Sequence, residues 1–257
     1  MAQDLAFAQE LAREAGKIIT DYFRSEELGV EYKKDHSPLT VADTKINALV
    51  IKWIREHYPE DSILGEEESY LQEGAEYTWV CDPIDGTRPF MLGVPVSVFS
   101  LARTKKGEPE LAVVYDPHTD NMYTAKKGEG AHLNGRRISV NSEKSLDGVT
   151  LGTTVSRREP FTYELERELG TRGAALLNFG SAVQMGMLIA RGDLCAYTFP
   201  GIFAWDAATV KLLVEEAGGK VTSLAGKQQR YDQEIDGFIA SNGHLHDEIV
   251  SIISSVR

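Results

Sequence analysis

Two closely spaced aspartates at the end of an apolar segment are the residues of this sequence best suited to chemistry. The segment reads Trp79-Val80-Cys81-Asp82-Pro83-Ile84-Asp85-Gly86-Thr87. Asp82 and Asp85 would repel each other in one turn unless a cation or a proton lay between them. Hard divalent ions such as Mg²⁺ take carboxylate and carbonyl oxygens, so the Ile84 carbonyl is a further candidate ligand.

The residues that follow the second aspartate are suited to binding an anion. Gly86 permits backbone angles that bring the chain close to a ligand, and Thr87 opens the next segment. Free backbone N–H groups at such a start can hold a phosphate. The structural alternative is a turn with an Asx motif, followed by a helix that Thr87 caps.

Three further acidic segments lie elsewhere in the chain, and each has a structural alternative. They are Gly65-Glu66-Glu67-Glu68, Trp205-Asp206-Ala207-Ala208 and Ser37-Pro38-Leu39-Thr40-Val41-Ala42-Asp43. Three successive glutamates are usually a solvated run of charge, whereas Asp206 and Asp43 suit the first turn of a helix. Taken singly, none of these segments identifies a site, and their combination is far more specific.

The charge of the chain excludes several classes of partner. The 257 residues include 27 Lys and Arg against 39 Asp and Glu, which gives a net charge of −12. Nucleic acid and acidic membranes are poor partners for such a chain, so an anionic ligand would need a metal ion to attract it. We expect a cytoplasmic protein without signal peptide or membrane span, in which Cys81 and Cys195 stay reduced.

The hydrophobic pattern predicts the elements that must position these residues. Predicted helices cover residues 4–23, 42–57, 161–168, 182–190, 206–217 and 244–254. Predicted strands cover residues 62–64, 77–81, 94–103, 111–115, 122–125, 131–133, 149–153, 194–198 and 238–240, with a further short strand at Val221. The result is a mixed α/β chain in two halves that divide near residues 140–150.

The order of these motifs resembles the inositol monophosphatase family, which belongs to the lithium-sensitive, Mg²⁺-dependent sugar phosphatases. The matching elements are Thr40-x-x-Asp43, Gly65-Glu66-Glu67, Asp82-Pro-Ile-Asp85-Gly-Thr87 and Trp205-Asp206, with Glu216-Ala-Gly-Gly after them. The resemblance covers nearly the whole chain and implies an α+β fold, a layered α/β/α/β/α sandwich of the inositol monophosphatase and fructose bisphosphatase type. It also implies a homodimer and a single phosphatase domain over residues 1–257, with a metal- and phosphate-binding half (1–145) and a half that carries Asp206 (146–257).

The same resemblance implies a role for each motif residue. The ligands of two or three Mg²⁺ ions would be Glu66, Asp82, the Ile84 carbonyl, Asp85 and Asp206, with Glu67 behind them. Thr87 and Asp43 would orient and deprotonate the attacking water, and would form the catalytic set with Glu66 and Asp82. The backbone N–H groups of Gly86 and Thr87 would bind the phosphate.

The substrate side of the sequence departs from the inositol-hydrolysing members of the family. Those members usually carry an acid seven positions before the Trp-Asp aspartate, and Phe199 stands there in this chain. Thr87-Arg88-Pro89-Phe90 is more similar to the histidinol-phosphate phosphatases of the family. We expect Arg88, Ser181 and Phe199 to contact the substrate together with Asp85 and Asp206. The alternatives are a surface cation at Arg88, a plain helix N-cap at Ser181, and a neighbouring loop that supplies the contact missing at Phe199.

The resulting prediction is a Mg²⁺-dependent phosphomonoesterase that acts on a small phosphorylated polyol or sugar through water attack. Histidinol phosphate, fructose bisphosphate and 3′-phosphoadenosine nucleotides are alternative substrates. A haloacid-dehalogenase-type phosphatase would need acids spaced Asp-x-Asp, whereas Asp82 and Asp85 are spaced Asp-x-x-Asp. A metal- and phosphate-binding regulator without turnover is the alternative from another functional class.

Overall fold

Alternating layers of helices and sheets build the structure, a computed structural model that describes residues 2–257. One outer layer consists of α1 (Ala2–Tyr22) and α2 (Val41–His57). The middle layer consists of α5 (Ala182–Ala190) and α6 (Ala208–Glu216). The other outer layer consists of α4 (Phe161–Thr171) and α7 (His246–Val256). A sheet separates each pair of helical layers. The predicted layered α/β/α/β/α sandwich is therefore confirmed.

The larger sheet has seven strands in the order β3-β4-β5-β6-β7-β8-β9. Its strands are β3 (Ser62–Gly65), β4 (Tyr77–Asp85), β5 (Val98–Lys105), β6 (Glu108–Asp116), β7 (Asn121–Lys126), β8 (Gly130–Leu133) and β9 (Arg136–Arg137). All neighbours are antiparallel except β3 and β4. A short hairpin, β1 (Glu31–Tyr32) with β2 (Pro38–Leu39), precedes α2, and the short helix α3 (Thr87–Met91) follows β4.

The smaller sheet has five strands in the order β11-β10-β12-β14-β13. Its strands are β10 (Thr150–Thr153), β11 (Ala175–Leu177), β12 (Ala196–Phe199), β13 (Lys220–Thr222) and β14 (Phe238–Ser241). Because α5 and α6 contact strands of both sheets, one hydrophobic core joins the two halves. The division into subdomains near residues 140–150 stays a prediction.

Helix α1 shows how the outer layers adhere to the sheets. Leu11, Ala15 and Ile19 recur at helical spacing and are fully buried against β5 and β6. Gly16 lets this helix approach closely, because a Cβ there would lie 2.3 Å from the ring of Tyr115. The burial of this stripe explains why the predicted helix at residues 4–23 closely matches the observed one.

Several predicted elements differ from the observed ones near the candidate site. Strand β4 does not end at Cys81 but continues through Asp85, with a register shift between Asp82 and Asp85. The helix predicted at residues 206–217 begins at Ala208, after a separate 3₁₀ turn (Ala204–Asp206). The strands β1, β2, β9 and β11 were not predicted, because two or three residues carry too little periodicity.

Two remaining expectations concern membranes and thiols. Within residues 2–257, every helix is too short or too polar to cross a bilayer. Cys81 and Cys195 are both buried and are not joined in a disulfide. The expected free thiols are therefore present.

A buried ion pair fixes the edge of the larger sheet. Asp61 precedes β3, and its Oδ2 accepts hydrogen bonds from Trp79 Nε1 and from Arg103 Nε, each at 2.9 Å. Arg103 Nη2 adds a contact of 2.8 Å to the same oxygen. One carboxylate thus satisfies two buried donors from β4 and β5.

We expect Asp61→Ala to lower the free energy of unfolding by about 3 kcal/mol, because it leaves the Trp79 indole and the Arg103 guanidinium without this acceptor. Denaturant unfolding would measure the change. Lys105→Met on the same strand is the matched control, because its ion pair with Glu76 spans 3.3 Å and is exposed. An equally small effect of both variants would contradict the structural role of Asp61.

Candidate active site

Three carboxylates from distant parts of the chain meet at one point. Asp82, Asp85 and Asp206 each place one oxygen within 4.8 Å of the others. The first two lie at the end of β4 and are buried, while Asp206 lies in the 3₁₀ turn and is half-buried. Oxygen donors in this arrangement fit a hard divalent cation such as Mg²⁺.

Asp82 has the clearest need for a further partner. Its Oδ1 is buried without any hydrogen bond. Burial raises its pKa well above the usual range, and the nearby carboxylates of Glu66 and Asp85 raise it further. Buried polar atoms are nearly always paired, so a cation or a proton has to satisfy this oxygen.

Asp85 is held at the N-terminus of α5. Its carboxylate accepts hydrogen bonds from the backbone N–H groups of Ala182 at 3.0 Å and Val183 at 2.9 Å, and from the Ser181 hydroxyl. Burial raises the pKa of Asp85 to about 6, although these hydrogen bonds lower it. Ser181 also caps α5 by accepting the N–H of Gln184 at 3.3 Å, which confirms the structural alternative, while its contact with the substrate stays a prediction.

Gly86 makes the contact between the two halves of the site possible. It has a φ of +91°, which side chains rarely tolerate, and a Cβ there would lie 3.0 Å from the Cβ of Ser181. The chain can therefore turn directly from Asp85 into α3 while it packs against α5. Gly86, rather than Thr87, is the N-cap residue of α3.

Thr87 connects the aspartate turn to α2. Its hydroxyl donates to the Ile84 carbonyl at 3.0 Å and lies 3.4 Å from Asp43 Oδ1. Asp43 is fully buried and forms a capping box with Thr40, so the structural alternative for this segment is also correct. Burial raises the pKa of Asp43 to about 7, although hydrogen bonds from Thr40 oppose the shift.

Lys33 is a site residue that the sequence analysis missed. It follows β1, and its Nζ lies 2.8 Å from Glu66 Oε1 and 2.7 Å from Glu67 Oε1. Burial lowers the pKa of Lys33, but both carboxylates outweigh burial and raise it above the usual value. Glu66 is therefore paired with Lys33 and does not belong to the group of three carboxylates. A basic residue just before the Ser37–Asp43 segment of an acidic chain was the available signal.

A cavity of about 290 Å³ opens onto the three carboxylates. Most of the predicted site residues line it: Glu66, Asp82, Ile84, Asp85, Gly86, Thr87, Arg88, Ser181, Phe199 and Asp206. Asp43 and Glu67 are not part of this lining, and Glu67 lines a neighbouring cavity. The other lining residues are Ser37, Pro38, Thr154, Asn178, Gly180, Ala182 and Tyr197. Thr154, Asn178 and Tyr197 come from the second half of the chain and carry no motif.

Asp206 and Arg88 each had a structural alternative, a helix cap for Asp206 and a surface cation for Arg88. Asp206 does not cap α6, because the N-cap position is Ala207 and no side chain caps it. Arg88 is exposed on α3 and also lines the cavity, and its contact with the substrate stays a prediction. Asp206 therefore lines the cavity and does not cap the helix that follows it.

Comparisons with known proteins agree with this geometry. The profile of the inositol monophosphatase family matches residues 1–257. The chain is 37% identical over 238 residues to the Nus factor SuhB of Pseudomonas aeruginosa, covering 88% of this chain and 87% of that protein. It is 32% identical over 257 residues to a histidinol-phosphatase of Chlorobaculum parvum, covering 99% and 98%. A solved IMPase of Thermotoga maritima has a TM-score of 0.88 at 30% identity and covers 99% of this chain and 98% of its own.

These matches extend over nearly the full length of each protein compared, and they agree with the order of motifs and with the layered fold. The predicted resemblance is confirmed: the chain belongs to the inositol monophosphatase family.

Proposed function

We propose that this phosphoric monoester hydrolase cleaves a small phosphorylated metabolite with Mg²⁺ held by Asp82, Asp85 and Asp206. The observation that carries the proposal is the unpartnered, buried Oδ1 of Asp82 beside two other carboxylates. Such a group stays ionised at neutral pH only if a cation offsets its charge. An acidic chain can also bind an anionic ester only through such a cation.

Two further oxygens are candidates to complete the ligand set. The Ile84 carbonyl faces the same turn, and Glu66 becomes available if its ion pair with Lys33 opens. Bound divalent ions would polarise the phosphate and lower the pKa of a water molecule. The set contains oxygen donors alone, which favours Mg²⁺ over Zn²⁺.

The proton of the attacking water would pass to Asp43 through Thr87. The Thr87 hydroxyl lies between the Ile84 carbonyl and Asp43, so it can accept a hydrogen bond from water while it donates to a carboxylate. A pKa of about 7 suits Asp43 to act as a base near neutral pH. The backbone N–H groups of Gly86 and Thr87 would bind phosphate oxygens at the same turn.

The size of the cavity and the names of two relatives support the proposed substrate class. A volume of about 290 Å³ accommodates a small sugar, polyol or amino alcohol phosphate. One relative is named a histidinol-phosphatase, and one solved structure is named an IMPase. A phosphate-release screen with Mg²⁺ over inositol, histidinol, glycerol, fructose and adenosine phosphates tests the proposal directly, and no release from any ester would contradict it.

We expect Asp206→Asn to reduce kcat/KM for phosphate release by at least about 100-fold, because even groups that only support metal ligands are worth 10- to 100-fold. The amide keeps the shape of the side chain but is a poor metal ligand. Because burial and the nearby carboxylates of Asp85 and Glu66 raise the pKa of Asp206, its neutral replacement should leave thermal stability unchanged or higher. Parallel losses of activity and stability would instead indicate a structural role.

We expect the stability of the metal-free protein to fall as the pH rises from about 4 to about 7. Burial raises the pKa of Asp85 to about 6 and that of Asp43 to about 7, so the folded state binds more protons than the unfolded chain in this window. Mg²⁺ at 100 times its Kd should restore about 2.7 kcal/mol at pH 7.5.

Thermal unfolding at several pH values, with and without Mg²⁺, would measure both effects. Asp82→Asn should weaken the pH dependence and abolish most of the stabilisation by Mg²⁺. Asp21→Asn, an exposed position on α1, is the control and should retain both responses. A pH-independent stability of the metal-free protein would contradict a cluster that needs a cation.

We expect Lys33→Gln to tighten Mg²⁺ binding, because the Lys33 ammonium competes for Glu66. Partly exposed ion pairs are worth on the order of 1 kcal/mol, or about fivefold in Kd. Titration calorimetry would measure the constant. Lys34→Gln removes the same charge from the exposed neighbour and should change Kd less. Equal effects of the two variants would show that only net charge matters.

A further inference from the structure

Phe199 faces two cavities at once. It lines the cavity of the three carboxylates and also a second cavity of about 300 Å³ beside it. Thr154 is the other residue that both cavities share. The apolar side chains of the second cavity are Val155, Phe199, Pro200, Ile202 and Phe203, and two of them, Val155 and Ile202, are 37% and 45% exposed. A molecule bound at the carboxylates can therefore extend over Phe199 into an apolar space.

The ring of Phe199 is held in place from behind. Its centroid lies 5.4 Å from that of Phe238 and 6.1 Å from that of Tyr197, and both of these rings are buried. Gly201 approaches the ring edge so closely that a Cβ there would lie 2.2 Å from Cε1 of Phe199. The half-buried ring is thus a fixed, planar surface rather than a mobile side chain.

The polar groups next to Phe199 are already paired within the protein. The Thr154 hydroxyl and the Tyr197 hydroxyl are 2.7 Å apart. Asn178 donates to the Thr153 carbonyl at 2.7 Å and accepts from the Gly180 N–H at 2.7 Å. These hydrogen bonds already use part of the polar capacity beside Phe199, so a leaving group rich in hydroxyls gains fewer new hydrogen bonds there.

The second cavity does not favour a charged leaving group either. Its charged lining residues are Arg158 and Glu159, which carry one charge of each sign. The apolar lining and the flat ring surface remain as its distinguishing features. Planar rings pack on aromatic faces more favourably than their buried area alone predicts.

We infer that Phe199 determines substrate specificity by stacking on a planar aromatic ring in the leaving group of the ester. The phosphate would lie at the three carboxylates, and the ring would lie over Phe199 and extend towards Ile202 in the second cavity. The inference rests on the proposed phosphatase function, because that function places the phosphate.

Three primary alkyl phosphates test the inference with matched chemistry: 2-phenylethyl phosphate, 2-cyclohexylethyl phosphate and glycerol 3-phosphate. The first two share an apolar leaving group of similar length and differ in planarity. We expect kcat/KM of the protein with Mg²⁺ to be highest for the phenyl ester and lowest for glycerol 3-phosphate. Phe199→Leu should lower the ratio of phenyl to cyclohexyl ester by about fivefold, whereas Phe199→Tyr should preserve it.

The control variant is Tyr163→Leu, which removes an exposed aromatic ring from α4 and should leave all three rates unchanged. If Phe199→Leu does not fold, the exposed pair Val155→Ser and Ile202→Ser tests the second cavity and should lower kcat/KM for both apolar esters. Competitive inhibition by 2-phenylethanol, stronger than by 2-cyclohexylethanol, gives an independent measure of stacking.

The outcomes separate the two proposals. Hydrolysis of all three esters with a ratio that Phe199→Leu leaves unchanged would overturn the inference and leave the phosphatase function intact. A preference of the unaltered protein for glycerol 3-phosphate would overturn it in the same way. No phosphate release from any ester, including those of the wider screen, would overturn the proposed function and the inference together.

Discussion

The repulsion among three closely spaced carboxylates is the constraint on which the site depends. Asp82, Asp85 and Asp206 lie within 4.8 Å of one another, and burial raises the pKa of each. Charges this close cannot all be present in a protein interior without a partner of opposite sign. The fold therefore holds carboxylates whose mutual repulsion a divalent cation would offset. Through such a cation the acidic chain would also bind an anion.

The rest of the fold holds this arrangement together against its own repulsion. The N-terminus of α5 donates backbone N–H groups to Asp85, and the absence of a side chain at Gly86 allows that contact. Lys33 offsets the outer charges of Glu66 and Glu67 from the hairpin side. The layers of helices behind each sheet keep these groups fixed, because α5 and α6 contact both sheets through one core.

The two ends of the cavity differ in chemistry. At the carboxylate end, the unpaired Oδ1 of Asp82 and closely spaced charges favour a cation and a phosphate. At the other end, a fixed aromatic ring and hydroxyl groups already paired with one another favour an apolar leaving group. In the proposed function the carboxylate end would carry out the reaction, and in the further inference Phe199 and its surroundings would select the ester.

The sequence by itself determined the layered fold class and most of the residues at the site. The motif around Asp82, Asp85 and Gly86 is local, so its turn and its ligand chemistry follow from neighbouring residues. Only the tertiary structure showed that Asp206 lies in a separate 3₁₀ turn and that Lys33 pairs with Glu66 and Glu67. It also showed that Phe199 lines two cavities and packs against Phe238 and Tyr197. These features depend on contacts between segments that are distant in the chain. Local periodicity and spacing do not encode them, because packing decides which side chains meet across the layers.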